Sequence, residues 1–366
     1  MKEKINYSLP LTYWCSKENI HNDVILSTRV RIVRNIEGYP FVVQLNDNSK
    51  RRISEKVLSS FKDTKHYKTS SYWNLDYNCL HFLQEMNFIQ NDKNVVDNEI
   101  FTNIIYNDKD LSECILINNE DHIKISSLSS GLNIENPLHK AKEIEEMFKE
   151  NISFAFNNEF GYLSSKLNEC GTGTKITLRV FIPCIIITNE YIHITSLLKD
   201  RHCFFKKVYP DSRKNELSSC VFDIYLNNSI EGSVEDQIAI MNTIGKLVEE
   251  KERKLRVKVA DNYPTIVLNQ LRQQLGYLKE SLLLEYYEGL NIILSIKFGL
   301  ELSLIGNISD KDLNSLCYIT KGEMLRSLLV ESDISFEKDV KENYLLVQRL
   351  RAIVIQNALT GIIHAN

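Results

Sequence analysis

The sequence predicts an α+β protein in two parts, and three observations predict it. From Asn22 to about Phe222, short β-rich runs are bounded by Asn, Asp, Gly or Pro. Helical patterns lie between these runs without regular βαβ alternation, which argues against a parallel α/β fold. From Ser233 onward the apolar residues recur at helical spacing. A chain of 366 residues accommodates two domains. The expected division is residues 12–255 for the mixed part and 256–366 for an all-α carboxyl-terminal domain. The alternative is one domain with a helical tail packed onto it.

Taken in order, Val24-Ile25-Leu26, Cys114 to Ile117, Ile176 to Ile182 and Cys184 to Thr188 read as strands, because each is a short run rich in β-branched residues. Leu138, Ala141, Ile144, Met147 and Phe148 recur at three- and four-residue spacing behind Asn136-Pro137, which predicts a helix over Leu138 to Phe148. Ser233-Val234-Glu235-Asp236 reads as a capping box with Asp in place of Glu or Gln. Behind it Ile240, Met241, Ile244, Leu247 and Val248 form an apolar stripe. The charged stretch Glu249 to Lys258 and Asp261-Asn262-Tyr263-Pro264 then break the pattern, which places the boundary near residues 255 to 265. Beyond it Thr265 to Phe298, Lys311 to Leu329 and Phe336 to Leu359 each support a helix, with Ser309, Ser332 and Ser335 as caps.

Composition narrows the function. Lys plus Arg number 44 against 48 Asp plus Glu, a formal charge of −4, which lacks the basic excess of a nucleic-acid binder. No stretch approaches the ~20 apolar residues that span a bilayer, and the polar start Met1 to Asn6 does not resemble a secretory signal. A cytoplasmic protein with neither nucleic-acid nor membrane partner is expected. Eight cysteines are scattered without a C-x-x-C pair or zinc spacing, so they read as reduced thiols and no metal site is expected. With 13 Gly and 6 Pro, a glycine-rich P-loop or Rossmann enzyme is disfavoured and any local Gly cluster becomes informative.

Three segments carry chemistry. Ser27-Thr28-Arg29-Val30-Arg31-Ile32-Val33-Arg34-Asn35 sets Arg29 and Arg31 on one face of a strand, where two guanidinium forks suit a polyphosphate. An ion-pair ladder is the plainer alternative. Asn118-Asn119-Glu120-Asp121-His122-Ile123-Lys124-Ile125 gathers two carboxylates, an imidazole and an ammonium after an apolar run. A carboxylate there can orient or deprotonate a nucleophile, or the segment is a polar hairpin turn in which His122 is a hydrogen-bonded structural residue. Gly161-Tyr162-Leu163-Ser164-Ser165 and Cys170-Gly171-Thr172-Gly173-Thr174-Lys175 lead into the strongest strand, as a phosphate-approaching loop or as a tight loop needing positive φ.

In this order and at these separations the segments resemble the ATP:guanidino phosphotransferase (phosphagen kinase) family, most closely its bacterial protein arginine kinase branch, the McsB-like proteins. The family patterns are S-S-R-[IV]-R-x-x-R-N, N-E-E-D-H-[IL]-R-[IV] and G-Y-L-T-x-C-P-T-N-x-G-T-G-x-R, met here by Ser27 to Asn35, Asn118 to Ile125 and Gly161 to Lys175. The resemblance extends from about residue 12 to the carboxyl end. It implies a phosphagen-kinase-like catalytic domain with an antiparallel sheet flanked by helices, and phosphoryl transfer from ATP with Mg2+ to a guanidinium nitrogen. By position it implies that Ser27, Thr28, Arg29, Val30 and Arg31, Lys124, and Lys175, Ile176, Thr177, Leu178 and Arg179 bind the nucleotide. Glu120 would be the carboxylate that holds or deprotonates the acceptor.

The sequence also departs from the family. Lys124 and Lys175 replace motif arginines, which keeps the charge and loses the bidentate fork. The family cysteine beside the guanidinium aligns with Lys166, a cation where a cationic substrate must sit. Two unit charges ~4 Å apart repel by about 4 kcal/mol at an effective dielectric near 20. The R-G-x-x-G-E segment aligns with Val208 to Arg213, so an arginine becomes Val208 and a carboxylate Arg213, although a one-residue slip brings Lys207 or Asp211 into use. A nucleotide-contacting histidine falls near Glu99, and the phosphoarginine-reading R-D-x-x-R motif becomes Lys338-Asp339-Val340-Lys341-Glu342. Two readings therefore stand: a protein arginine kinase with a diverged site, or a non-catalytic relative that binds nucleotide or a partner and regulates a kinase or Clp-type protease. For partners the resemblance suggests protein arginine, a McsA-like activator and a ClpC-type unfoldase, and it allows a homodimer.

Overall fold

A computed structural model of the chain describes residues 22–62, 65–71, 102–107, 112–213, 216–226, 232–306, 310–331 and 335–359, with residues 74 and 88. Glu99 and the caps Ser309 and Ser332 lie outside the described residues.

The centre is an eight-stranded sheet of β1 (Ile25–Arg34), β2 (Tyr67–Ser71), β3 (Asn103–Asn107), β4 (Glu113–Ile117), β5 (Ile123–Ser130), β8 (Thr174–Phe181), β9 (Cys203–Lys207) and β10 (Val221–Leu226). Its order is β2-β3-β4-β5-β1-β8-β10-β9, and every pairing is antiparallel. Two short strands, β6 (Phe156–Asn157) and β7 (Gly161–Tyr162), pair separately.

The pleat divides each strand between two faces. Val30 and Ile32 of β1, Ile123 and Ile125 of β5, Ile176 and Leu178 of β8 and Ile224 of β10 are fully or nearly fully buried on one face. Helices α2 (Glu135–Lys149) and α5 (Val234–Asn262) cover that face, and α1 (Asp47–Ser60) packs on α2. Ala141, Ile144 and Phe148 supply the buried stripe of α2, and Met241, Ile244 and Val248 that of α5. The expected capping box forms, with the Ser233 side chain accepting from Asp236 N–H and the Asp236 carboxylate accepting from Ser233 N–H.

One expected strand is a helix. Cys184 to Ile187 belong to α3 (Pro183–Ile187), with Thr188 as its C-cap, and α4 (Tyr191–Lys199) follows. Pro183 presets the first turn, and the buried Glu252 carboxylate of α5 accepts the N–H groups of Cys184 (3.0 Å) and Ile185 (2.9 Å). A tertiary carboxylate thus caps a segment whose own residues favour a strand.

The carboxyl-terminal third is helical: α6 (Pro264–Glu280), α7 (Tyr286–Glu301), α8 (Asp310–Ile319), α9 (Gly322–Glu331) and α10 (Asn343–Ala358). Two of the expected long helices are each two helices. The chain is extended at Ser281 before a Glu285/Glu288 capping box starts α7, and Thr320 to Lys321 separates α8 from α9. The last begins at Asn343 behind Glu342, so Ser335 caps no helix. The charged run Glu249 to Lys258 does not interrupt α5, because Glu252 and Arg256 turn inward. Helix α7 is buried nearly all round and packs on α6, α8 and α10. A polar knot ties these helices to the start of β1. Asp23 accepts from Arg253 and from Arg256 (2.7 Å), Arg256 also reaches Glu301 (2.6 Å), and Lys297 donates to Asn22 O (3.3 Å). All six described cysteines are buried, and none forms a disulfide.

Candidate functional site

The sheet face opposite the α2/α5 core carries the polar side chains of the same strands. Register places Arg31 opposite Lys175 and Ser126, Arg29 opposite Thr177, Ser27 opposite Arg179, and Arg179 opposite Asp223. Asp223 in turn sits opposite Lys206. Arg29, Arg31, Lys124, Ser126, Lys175, Thr177, Lys206, Asp223 and Tyr225 line a cavity of about 180 Å³. Its lining thus holds five cations and one carboxylate, and that carboxylate is engaged: Arg179 holds Asp223 bidentately, at 2.9 and 3.0 Å.

Crowding and burial set the charge state. Desolvation, then the Arg31 charge, push Lys124 and Lys175 each down to about 8. Desolvation and the neighbouring Arg179 bring Arg29 down to about 10. Burial lowers Arg179 as well, but Asp223 outweighs it and keeps that guanidinium firmly charged. Lys175 also lies 4.1 Å over the Tyr225 ring. Such a surface attracts a compact polyanion, since each phosphate charge relieves repulsion among the cations that is already present.

The loop before β8 is built onto this face. Gly161 and Gly173 adopt φ of +67° and +60°. A Cβ at Gly161 would meet Gly171 O at 2.5 Å, and one at Gly173 would meet Val33 O at 2.8 Å. Arg34, which is 1% exposed, fixes the loop by donating to Thr172 O (3.1 Å), stacking on Tyr162 at 3.6 Å and pairing with the fully buried Glu145 at 2.7 Å. Asn35 and Asp121 hold the earlier part of the same segment, at Leu163 and Ser165. The Asn35 side chain donates to Asp121 (2.6 Å) and to Leu163 O (3.0 Å), and Asp121 accepts the Ser165 N–H (2.7 Å). His122 is structural: its Nδ1 accepts the Ile36 N–H (2.9 Å), leaving Nε2 to donate to Pro40 O (2.9 Å).

These contacts bring Glu120 and Lys166 together, with Lys166 Nζ 2.6 Å from Glu120 Oε1 and Lys124 Nζ 3.8 Å from Oε2. Burial pushes the Glu120 carboxyl up, but the Lys166 hydrogen bond and the charges of Lys124 and Arg31 hold it below its ordinary value. At the other end of the same turn, Glu169 pairs with Arg31 and lies 4.0 Å from Lys175.

Of the residues the sequence singles out, Arg29, Arg31, Lys124, Lys175 and Thr177 line the cavity, and Arg179 stands behind Asp223. The pleat turns the others in these runs away: Val30, Ile176 and Leu178 lie in the core, and Thr28 donates to Gly131 O. Ser27 sits on the cavity face without lining it. Val208 packs against the core, Asp211 bonds Tyr287, and Arg213 is 84% exposed beside Glu216, so none of the three lines the cavity. Lys338, Asp339 and Glu342 are exposed near the start of α10. Sequence reasoning missed Glu169, Lys206, Asp223 and Tyr225. Alternation along β9 and β10 could have paired the last three with the motif strands only if their register were known.

The chain is similar to known proteins over most of its length. The family model described as ATP:guanido phosphotransferase, C-terminal catalytic domain, matches residues 49–255, more than half of the chain. A protein-arginine kinase of Clostridium acetobutylicum is 25% identical over 342 residues, covering 92% of this chain and 99% of that protein. One of Clostridium novyi is 25% identical over 362 residues, covering 95% and 98%. Among solved structures, the duplicated taurocyamine kinase of Schistosoma mansoni with bound transition state analog components has a TM-score of 0.58 at 16% identity, over 74% of this chain and 39% of that one. A lombricine kinase has a TM-score of 0.56 at 17% identity, over 69% and 73%. These structural likenesses speak to the fold.

Proposed function

Because the chain belongs to the ATP:guanido phosphotransferase family, we propose that its cationic sheet face binds ATP and that Glu120 presents a protein arginine to the γ-phosphate. The observation that carries the reading is the union, on one sheet face, of Arg29, Arg31, Lys124, Lys175 and Lys206 around a single cavity, with the Glu120 carboxylate 3.8 Å from Lys124. The relatives named protein-arginine kinase match nearly their whole length, which supports arginine in proteins as the acceptor.

Phosphoryl transfer asks the protein for positioning and charge more than for covalent chemistry. Arg29 and Arg31 offer forks for phosphate oxygens, and Lys124 and Lys175 offer point charges. Glu120, held ionised by its cationic neighbours, would accept the guanidinium N–H groups, align one nitrogen with the phosphorus and take its proton. The lining suits a triphosphate better than a bare metal, because Asp223, its one carboxylate, is held by Arg179. Mg2+ would be carried on the nucleotide's phosphate oxygens, where it supplies further charge neutralisation.

The second reading is a non-catalytic nucleotide binder, favoured by Lys166 resting on Glu120 where a guanidinium would sit. One experiment separates them. The protein is incubated with Mg-ATP and an arginine-rich protein such as casein, and the products are analysed by mass spectrometry without acid exposure. Phosphoarginine on either protein is the expected result. Its absence, when a known protein-arginine kinase yields it under the same conditions, would leave the non-catalytic reading.

A further inference from the structure

We propose that the turn from Lys166 to Glu169 is an internal stand-in for both substrates, and that it holds the free site shut until a nucleotide displaces it; this rests on the phosphotransferase reading above. Lys166 presents an ammonium to the acceptor carboxylate, at 2.6 Å from Glu120 Oε1, as a substrate guanidinium would. Glu169, 6% exposed, presents a carboxylate to Arg31 and Lys175, as a phosphate would. Both ends of the site are therefore satisfied by one short segment of opposite charges.

The two ends are mechanically linked. Residues Leu167–Glu169 form a single 3-10 turn closed by Glu169 N–H donating to Lys166 O at 2.8 Å. Between the charged ends, Leu167 is 77% exposed and Asn168 is also exposed, so the turn rests on the site through its ion pairs and buries no apolar side chain there. The segment is anchored outside the turn, by the Ser165 N–H on Asp121 and by the pairing of Gly171 with Tyr162. Displacing Glu169 thus withdraws Lys166 along with it.

A triphosphate carries several negative charges against the one of Glu169, so it wins Arg31 and Lys175 on electrostatics. Lys166 then leaves Glu120, and the carboxylate becomes available to a guanidinium. The consequence is ordered binding, nucleotide first, with positive coupling between the two sites that must be reciprocal.

The test uses Mg-ADP and N-acetylarginine methylamide as probes, titrated calorimetrically into the wild-type chain, Glu169→Gln and Lys166→Ala. Glu169→Gln is expected to bind Mg-ADP about fivefold or more tighter while its melting temperature falls, because Arg31 and Lys175 lose their counter-charge; a merely structural ion pair would lower both stability and affinity. Lys166→Ala is expected to bind the arginine derivative about fivefold or more tighter without nucleotide, and to lose most of the gain that Mg-ADP gives the wild type. Should Glu169→Gln fail to fold, Lys166→Ala, whose side chain is 38% exposed, decides the matter alone. Folded variants with wild-type affinities for both probes overturn the proposal while the nucleotide site stands. If the wild type and both variants all ignore Mg-ADP, the phosphotransferase reading falls and takes the proposal with it.

Discussion

Lys124 and Lys175 face the same cavity with pKa values brought down to about 8, and this has a direct consequence for nucleotide binding. An anion favours the protonated ammonium, so binding draws protons onto whichever lysines are neutral in the free protein. Below pH 8 both are mostly charged; above it the free site loses charge. Mg-ADP affinity is therefore expected to fall as pH rises from 7 to 9, with net proton uptake near pH 8, measurable calorimetrically in buffers of different ionisation enthalpy. Flat affinity across that range would mean these lysines do not face the phosphates. Arg34 acts on a different quantity. Replacing it by Met leaves the Glu145 charge buried without its guanidinium partner, although Lys142 remains 3.0 Å away. Urea unfolding should then show a loss of about 3 kcal/mol or more. At this scale Arg29, Arg31, Lys124, Lys175 and Glu120 were legible because they stand inside ordered motifs. Asp223, Lys206 and Tyr225 were not, because their place depends on how β9 and β10 pair with β8.

The segment Cys184 to Thr188 shows what the elements owe to one another. By composition it is strand, yet it folds as α3 because Glu252, 68 residues away from Cys184, receives its first N–H groups. Replacing Glu252 by Ala would leave those buried donors without acceptors, at a cost of about 1–3 kcal/mol seen in urea unfolding; an unchanged midpoint would mean that Pro183 alone sets the turn. The strand β8, the helix α2 and the first half of α5 were readable from their period, and the start of α5 from its capping box, since the apolar spacing is unbroken there. The breaks after Glu280 and Ile319 were not, because Leu282 and Leu283 extend an apolar run into a connection where Leu282 is 65% exposed.

Across the whole molecule, α5 covers the sheet with its first half and joins the knot of Asp23, Arg253, Arg256 and Glu301 with its second. The charge run that looked like a break in the sequence is thus part of one continuous element, which no composition window could reveal. Because the same helix serves both parts, calorimetric unfolding should follow one transition, with calorimetric and van't Hoff enthalpies agreeing; two resolved transitions would mean the parts fold independently. The sheet and its core place the cationic face beside Glu120. The most direct test of that arrangement is the Glu120→Gln variant assayed for phosphoarginine formation and, separately, for Mg-ADP binding. Transfer should fall by roughly 10²-fold or more while nucleotide affinity stays within a few-fold of wild type. Phosphoarginine formed at the wild-type rate by the variant would contradict the role assigned to Glu120 and to the face it borders.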